Sequence, residues 1–317
     1  MIKPFPIFLL NLLYLTSISL SAQKEATVKL MVTDEAGAPV VDAAIRIVFH
    51  GIQREKTTDV YLNTNDKGML IAKGWSKGEF LSHVEVSSRE PDYYNSRLIA
   101  GSGTENKFDL QLVLRKKGKP IAMFARQISM ELPELRKEIG FDFEKADWVK
   151  PYGIGRKIDC TFIGDKVYED RDNYETTVLM SYPGPKAGMV LDSATHNKQL
   201  KMSVFHGSRQ SPDSDYKHTH KFIHKKANKS RKGSTQEASY IFRSRVLLDA
   251  SGKIKSCHYG KLAGAIDVAK GSGVPSVMPK VSFTYYFNPT PNDRNLEFDP
   301  DKNLFGELEW DEVVRAP

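Results

Sequence analysis

Short segments of alternating apolar and polar residues run through the chain. Val28, Leu30 and Val32 come first, then Ile45, Ile47 and Phe49, then Phe108, Leu110, Leu112 and Leu114. A period of two belongs to a strand with one face buried and the other wet. Asp34-Glu35-Ala36-Gly37 followed by Pro39 reads as a turn, because glycine takes positive φ without strain and proline fixes the chain's exit. Thr64-Asn65-Asp66-Lys67-Gly68 reads as a second turn. With short strands, glycine-bearing turns and no long helical pattern, the sequence predicts a β-sandwich over 24–115.

Arg115 to Pro120 is polar and holds both Gly118 and Pro120, so a boundary is expected there. Residues 116–157 read as a linker, with a turn or two of helix near Leu132 to Ile139 ended by Gly140, then a loop carrying Trp148 and two glycines. Strand alternation resumes from Ile158. It is clearest in SYIFRSRVLLDASGKIKSCHYGKL, where Asp249-Ala250-Ser251-Gly252 separates two strands. Strands near Gln199 to Phe205 and Lys280 to Phe287 complete a β-rich domain over 158–317. In the last of these, Phe283, Tyr285 and Phe287 share one face. Pro289 and Pro291 then end the strand by removing donors and holding Asn288 and Thr290 extended. The expected fold class is all-β: an Ig-like β-sandwich followed by a second β-rich domain.

A length of 317 residues accommodates two domains with their own cores. Residues 1–22 read as a secretory signal peptide: Lys3, an apolar run from Ile7 to Leu20, and small residues at Ser19, Ser21 and Ala22. Asn11, Thr16 and Ser17 interrupt a run already short of the roughly 20 apolar residues of a membrane span. No later stretch approaches that length. The mature chain is therefore expected to be exported, periplasmic or extracellular, with no membrane span.

The formal charge of +7 is concentrated. Lys217 to Lys232 holds seven Lys or Arg and no acid, whereas Asp293 to Pro317 holds eight acids against three bases. This segment suits a polyanion, but a specific nucleic-acid binder carries a broader basic face. Within it, His218 and His220 alternate and would point the same way on a strand. The surrounding lysines disfavour a metal there and favour a mobile basic loop. Asp299, Asp301 and Asn303 open like a calcium loop, but Leu304 stands where the turn glycine belongs and Trp310 where the closing glutamate belongs. Two cysteines, Cys160 and Cys257, rule out a disulfide scaffold; one bridge between them is an open expectation in an oxidising compartment. No nucleophile elbow, zinc-protease motif or dinucleotide loop occurs, and no cofactor is called for. The ligand candidates are Trp148, Tyr152 and Arg156, where an aromatic face and polar groups could meet a sugar ring, and Asn288 and Asn292 beside the two prolines. Trp148 as a core residue is the competing reading.

Two resemblances add to this picture. VTDEAGAPVVDAAIRIVF followed by NTNDKGMLIAKG resembles the carboxypeptidase regulatory-like domain, a transthyretin-related sandwich. It implies an accessory module without catalytic residues of its own. DWVKPYGIGRKID, Tyr259-Gly260-Lys261 and FTYYFNPTPNDRNLEFD resemble an uncharacterised exported bacterial protein family that joins such a sandwich to a β-rich domain. It implies export and architecture but no site. The leading expectation is a non-catalytic exported binding or envelope-associated protein with a carbohydrate or anionic polymer as ligand. The alternatives are an envelope-polymer hydrolase using C-terminal carboxylates, and a structural interaction protein.

Overall fold

The computed structural model describes residues 24–51, 58–76, 81–101, 106–227, 230–233 and 238–317; the expected signal peptide lies outside them. The fold is all-β, two sandwiches in series. The first is built from β1 (Lys24–Asp34), β2 (Ala44–Gly51), β3 (Thr58–Asn63), β4 (Met69–Ser76), β5 (Leu81–Ser88), β6 (Ser96–Ala100) and β7 (Lys107–Leu114). One sheet has the order β4-β1-β7, with β1 antiparallel to β4 and parallel to β7, and the other β3-β2-β5-β6. The alternating residues Val28, Leu30 and Val32 meet Ile45, Ile47 and Phe49 across the core. Gly37 and Gly68 both take positive φ in their turns. At Gly68 a Cβ would lie 2.6 Å from the Val32 carbonyl oxygen, so that turn tolerates only glycine.

The second sandwich contains β8 (Ile121–Glu131), β9 (Ile139–Asp142), β10 (Asp147–Trp148), β11 (Cys160–Asp170), β12 (Asn173–Ser181), β13 (Gly188–Leu191), β14 (Thr219–Ala227), β15 (Ser230–Gly233), β16 (Tyr240–Leu248), β17 (Ile254–Asp267), β18 (Lys280–Phe287) and β19 (Phe298–Asn303). Its two sheets run β10-β9-β11-β12-β14-β15 and β13-β16-β17-β18-β8-β19. Phe283, Tyr285 and Phe287 of β18 all enter the core between them, and the chain leaves the strand at Asn288. Among the described residues no helix is long and apolar enough to cross a membrane.

Four expectations change. Residues 116–157 are not a linker with a helix: β8 pairs with β18 along its length, and β9 and β10 supply core. Pro133 holds Leu132 out of helical geometry, and Leu132 is enclosed in the core while Arg136 turns the chain at positive φ. Residues 199–205 form no strand; they contain the 3-10 turn Leu200–Met202. The basic run is not a loose loop, for β14 pairs with β12 and sets Lys225 beside Glu175 at 2.9 Å. Glu175 on β12 and Asp172 in the turn before it pair with Lys225 and Lys226, which lets these lysines sit in a strand. Finally, Cys160 and Cys257 are both buried free thiols, on strands of opposite sheets.

Trp148 is 4% exposed. Its ring meets Phe141 and Phe162 edge-on at 5.5 Å, and Nε1 donates to the Glu131 carbonyl oxygen at 3.1 Å. A buried pair fastens the two sheets nearby: Arg245 donates from Nε and Nη2 to the two oxygens of Asp159 at 2.6 and 2.7 Å. Its guanidinium also lies 4.6 Å over Phe287.

The sandwiches meet at Phe205. Its ring lies under the Arg115 guanidinium at 4.5 Å, beside Tyr94 at 4.9 Å, and 4.9 Å from the Lys261 ammonium. Arg115 donates to Glu35 Oε1 at 2.8 Å and to the Phe205 and Gly207 carbonyl oxygens at 2.7 and 2.8 Å. Arg209 reaches the other Glu35 oxygen and also pairs with Glu297. Lys261 is enclosed here, and burial lowers its pKa from 10.5 to about 7 although its Nζ donates to the Pro317 carbonyl oxygen at 3.1 Å.

Two outcomes follow from this packing. Trp148→Ala empties a core position and is expected to cost about 3 to 5 kcal/mol in chemical denaturation; a loss under about 1 kcal/mol would place Trp148 outside the core. For Lys261, the unfolded chain keeps its proton up to about pH 10.5 and the folded chain only to about 7. Unfolding between those values takes up a proton, so this residue's contribution makes stability rise with pH. Lys261→Met is therefore expected to be more stable than the parent at pH 7, the gap closing by roughly 1 kcal/mol per pH unit toward pH 10. A gap that does not change with pH would show that Lys261 is charged in the folded state.

Candidate functional site: an open groove on the four-stranded sheet

The outer face of β3-β2-β5-β6 follows from the same alternation that fills the core. Ile45, Ile47 and Phe49 point inward, so Ala44, Arg46, Val48 and His50 point outward. Pairing aligns these residues in rows. One row reads Tyr61, Arg46, Ser87, Arg97 across the four strands, and the next reads Asp59, Val48, Glu85, Ile99. Each arginine reaches diagonally to an acid of the next row: Arg46 Nη2 lies 2.7 Å from Asp59 Oδ2, and Arg97 Nη2 lies 2.7 Å from Glu85 Oε2. The hydrogen bond from Arg97 holds the Glu85 carboxyl below the usual carboxylate range. A diagonal ion pair fixes a guanidinium in place while leaving some of its N–H groups for a ligand.

Over these rows lies an open groove of about 590 Å³, lined by Arg46, Tyr61, Asn63, Glu85, Ser87, Arg89, Asn95 and Arg97, with Val204 of the second sandwich as its far wall. The wall is anchored to the first sandwich: Val204 N donates to the Asn95 carbonyl oxygen at 2.9 Å, and Ser203 bridges to Ser96. Tyr61 is 69% exposed, so its phenol face stands at the edge of the groove. A flat aromatic face beside oriented donors and acceptors matches what a sugar ring presents.

The residues singled out from sequence lie elsewhere and are not brought together. Trp148 is core. Tyr152 is half-buried, its hydroxyl donating to Glu134 Oε2 at 2.5 Å. Arg156 is exposed, and its backbone N–H donates to Asp142 Oδ2 at 2.8 Å. The glycines beside it serve packing, since Gly155 N donates to the Trp148 carbonyl oxygen and a Cβ on Gly153 would lie 2.4 Å from that oxygen. Asn288 is fully buried: its Nδ2 donates to the Asp293 and Asn295 carbonyl oxygens and its Oδ1 accepts from Thr290 N. Asn292 adopts positive φ and ties the loop to β17, accepting from Cys257 N at 3.0 Å and donating to the Lys255 carbonyl oxygen. The polar loop after β18 is thus built on itself rather than for a ligand.

Nor do the weak metal candidates gather. His218 is exposed ahead of β14, while His220 is half-buried with Nε2 3.0 Å from the Met189 carbonyl oxygen; burial lowers its pKa. Asp299 pairs with Lys302 at 2.9 Å and accepts from Asp301 N, and Asn303 bonds both the N–H and the carbonyl of Ala125. Asn303 is therefore a strand-pairing device. The acids that converge in the second sandwich, Asp142, Glu144 and Asp159, bind Arg245 and backbone N–H groups. Burial raises the Asp159 pKa, opposed by Arg245, which holds both its oxygens.

Tyr61, Arg46 and Arg97 carry no motif. Their outward direction is readable from AIRIVFHG and TDVYLN, but the wall that turns a wet sheet face into a groove comes from Val204, more than a hundred residues later.

No protein-family model matches the chain, and no curated protein matches it. Among solved structures, a streptococcal ancillary pilin aligns at 7% identity and a TM-score of 0.23 over 69% of this chain. The chain spans about half, 52%, of that pilin. A candidate carbohydrate binding protein from Bacteroides uniformis aligns at 10% identity and a TM-score of 0.17, over 84% of this chain and 98% of the other. At these scores neither likeness bears on fold or function.

Proposed function

We propose that the protein is a non-catalytic, exported binding module whose ligand is a carbohydrate, held in the groove on β3-β2-β5-β6. The exposed Tyr61 ring beside two arginines fixed by their own ion pairs carries this reading. The phenol would stack on a sugar face while Arg46, Arg97 and Asn63 bond its hydroxyls. Asp59 and Glu85 neutralise Arg46 and Arg97, and Arg89 in the lining adds a further positive charge, which favours sugars bearing carboxylate, sulfate or phosphate. A groove open to solvent suits a chain of residues rather than a single small molecule. The hydrolase alternative loses its support, because the convergent acids of the second sandwich are bonded to Arg245 and to backbone donors. The first sandwich is proposed to be the carboxypeptidase regulatory-like module that its turn sequences resemble, and residues 1–22 to be a targeting segment removed on export.

Screening the purified chain on a glycan array, followed by titration of retained glycans, tests the groove. Tyr61→Ala is expected to weaken binding by roughly tenfold or more, the size of one stacking contact, with the melting temperature unchanged because the ring is exposed. Retained affinity in Tyr61→Ala would remove the groove from the account. For export, N-terminal sequencing of protein recovered outside the cytoplasm is expected to begin at Ala22 or Gln23, and a retained Met1 would exclude cleavage.

A further inference from the structure

At one end of the groove, on the same sheet face, the rows reach two histidines that the carbohydrate reading does not use, next to the groove residue Glu85. His50 of β2 and His83 of β5 are directly paired across the strands. Their imidazoles are stacked, with centroids 4.1 Å apart and planes 16° from parallel. Glu85 stands two residues after His83 on the same face, its Oε2 3.7 Å from His50 Nε2. One ligand atom from each of the three lies within 4.8 Å of the others. His50 Nε2 has no accessible surface and no hydrogen-bond partner.

We infer that His50, His83 and Glu85 form a binding site for a divalent transition metal of the zinc class. The chemistry follows from the donor set. Two neutral imidazoles and one carboxylate are borderline ligands that select zinc, copper or nickel over calcium and magnesium, which take oxygen alone. Bond lengths of about 2.0 to 2.2 Å at tetrahedral angles set ligand atoms roughly 3.3 Å apart, so binding requires the two stacked rings to rotate until their nitrogens converge on one point. Cross-strand pairing does the positioning, since a register fixed by β2 and β5 presents both rings from a rigid backbone. Arg97 then acts from outside the ligand set. Its Nη2 bonds Glu85 Oε2 at 2.7 Å, the oxygen that also faces His50 Nε2, and so orients the carboxylate toward the rings. The His50 and Glu85 side chains are 28% and 15% exposed, so the cluster lies near solvent although His50 Nε2 itself is covered. The inference does not depend on the carbohydrate reading.

Calorimetric titration of the metal-free full chain with zinc chloride tests it, alongside cobalt(II) absorption. One equivalent is expected to bind with micromolar or tighter affinity, and cobalt to give the visible bands of a site with nitrogen ligands. His83→Ala and His50→Gln are each expected to weaken zinc at least tenfold with melting temperatures within a few degrees of the parent. His220→Ala, which alters a histidine bonded to Met189, is expected to leave the titration unchanged. Absence of a saturable one-equivalent phase would overturn the site, as would equal zinc affinity in parent and both variants, or loss of the phase in His220→Ala alone. Should either variant fold poorly, Glu85→Gln gives the same reading, with weakening expected and unchanged affinity excluding the carboxylate as ligand.

Discussion

One carboxylate holds the two sandwiches in register. Glu35, in the turn between β1 and β2, accepts Arg115 on one oxygen and Arg209 on the other. Arg115 closes the first sandwich and Arg209 belongs to the second, so the two guanidiniums converge from opposite sides. Phe205 lies between them with Arg115 stacked on its ring, and its carbonyl oxygen accepts from that same arginine. Arg115 is the member taken out of water, and its donors are met by Glu35 and two carbonyl oxygens, whereas Glu35 and Arg209 keep about a third of their side chains in solvent. The groove depends on it. Val204 precedes Phe205 by one residue, so fixing the ring also fixes the wall over the outer sheet.

The first sandwich was legible because its signals are local. Alternation gave the strands, and Gly37 and Gly68 gave the turns, since a positive φ at a glycine is written in the residue itself. The second domain was legible only where the same held, as in the hairpin around Gly252 and in the aromatic strand that ends at Asn288. Elsewhere long-range pairing decided. Leu132 to Ile139 has helix-forming residues, yet a proline and the pull of β18 on β8 leave a turn. The lysines of β14 look solvated in sequence because their partners, Glu175 and Asp172, lie about 50 residues earlier.

The site was hidden for a related reason. Sequence reasoning favours aromatic residues near breakers, and Trp148 beside Gly153 and Gly155 fits that pattern. Those glycines instead let the chain fold back against the Trp148 carbonyl, which is what a buried indole at the end of a sheet requires. Tyr61 sits in the middle of a strand with no such marker. Its significance depends on the register that sets it beside Arg46, and on a wall from another domain. The His50, His83 and Glu85 cluster is of the same kind: three residues spread over two strands, meaningful only once the strands pair.

Cys160 and Cys257 sit in the two opposed sheets of the second sandwich without a bridge between them. Cys160 is wholly enclosed, and burial pushes its thiol well above the usual value, so almost no reactive thiolate forms at neutral pH. Cys257 is also shut away from solvent, in the opposite sheet. Cohesion comes from aromatic packing and buried ion pairs, which are indifferent to redox potential. The two sheets of the second sandwich are therefore held face to face by these contacts alone, with no covalent tie between their cysteines.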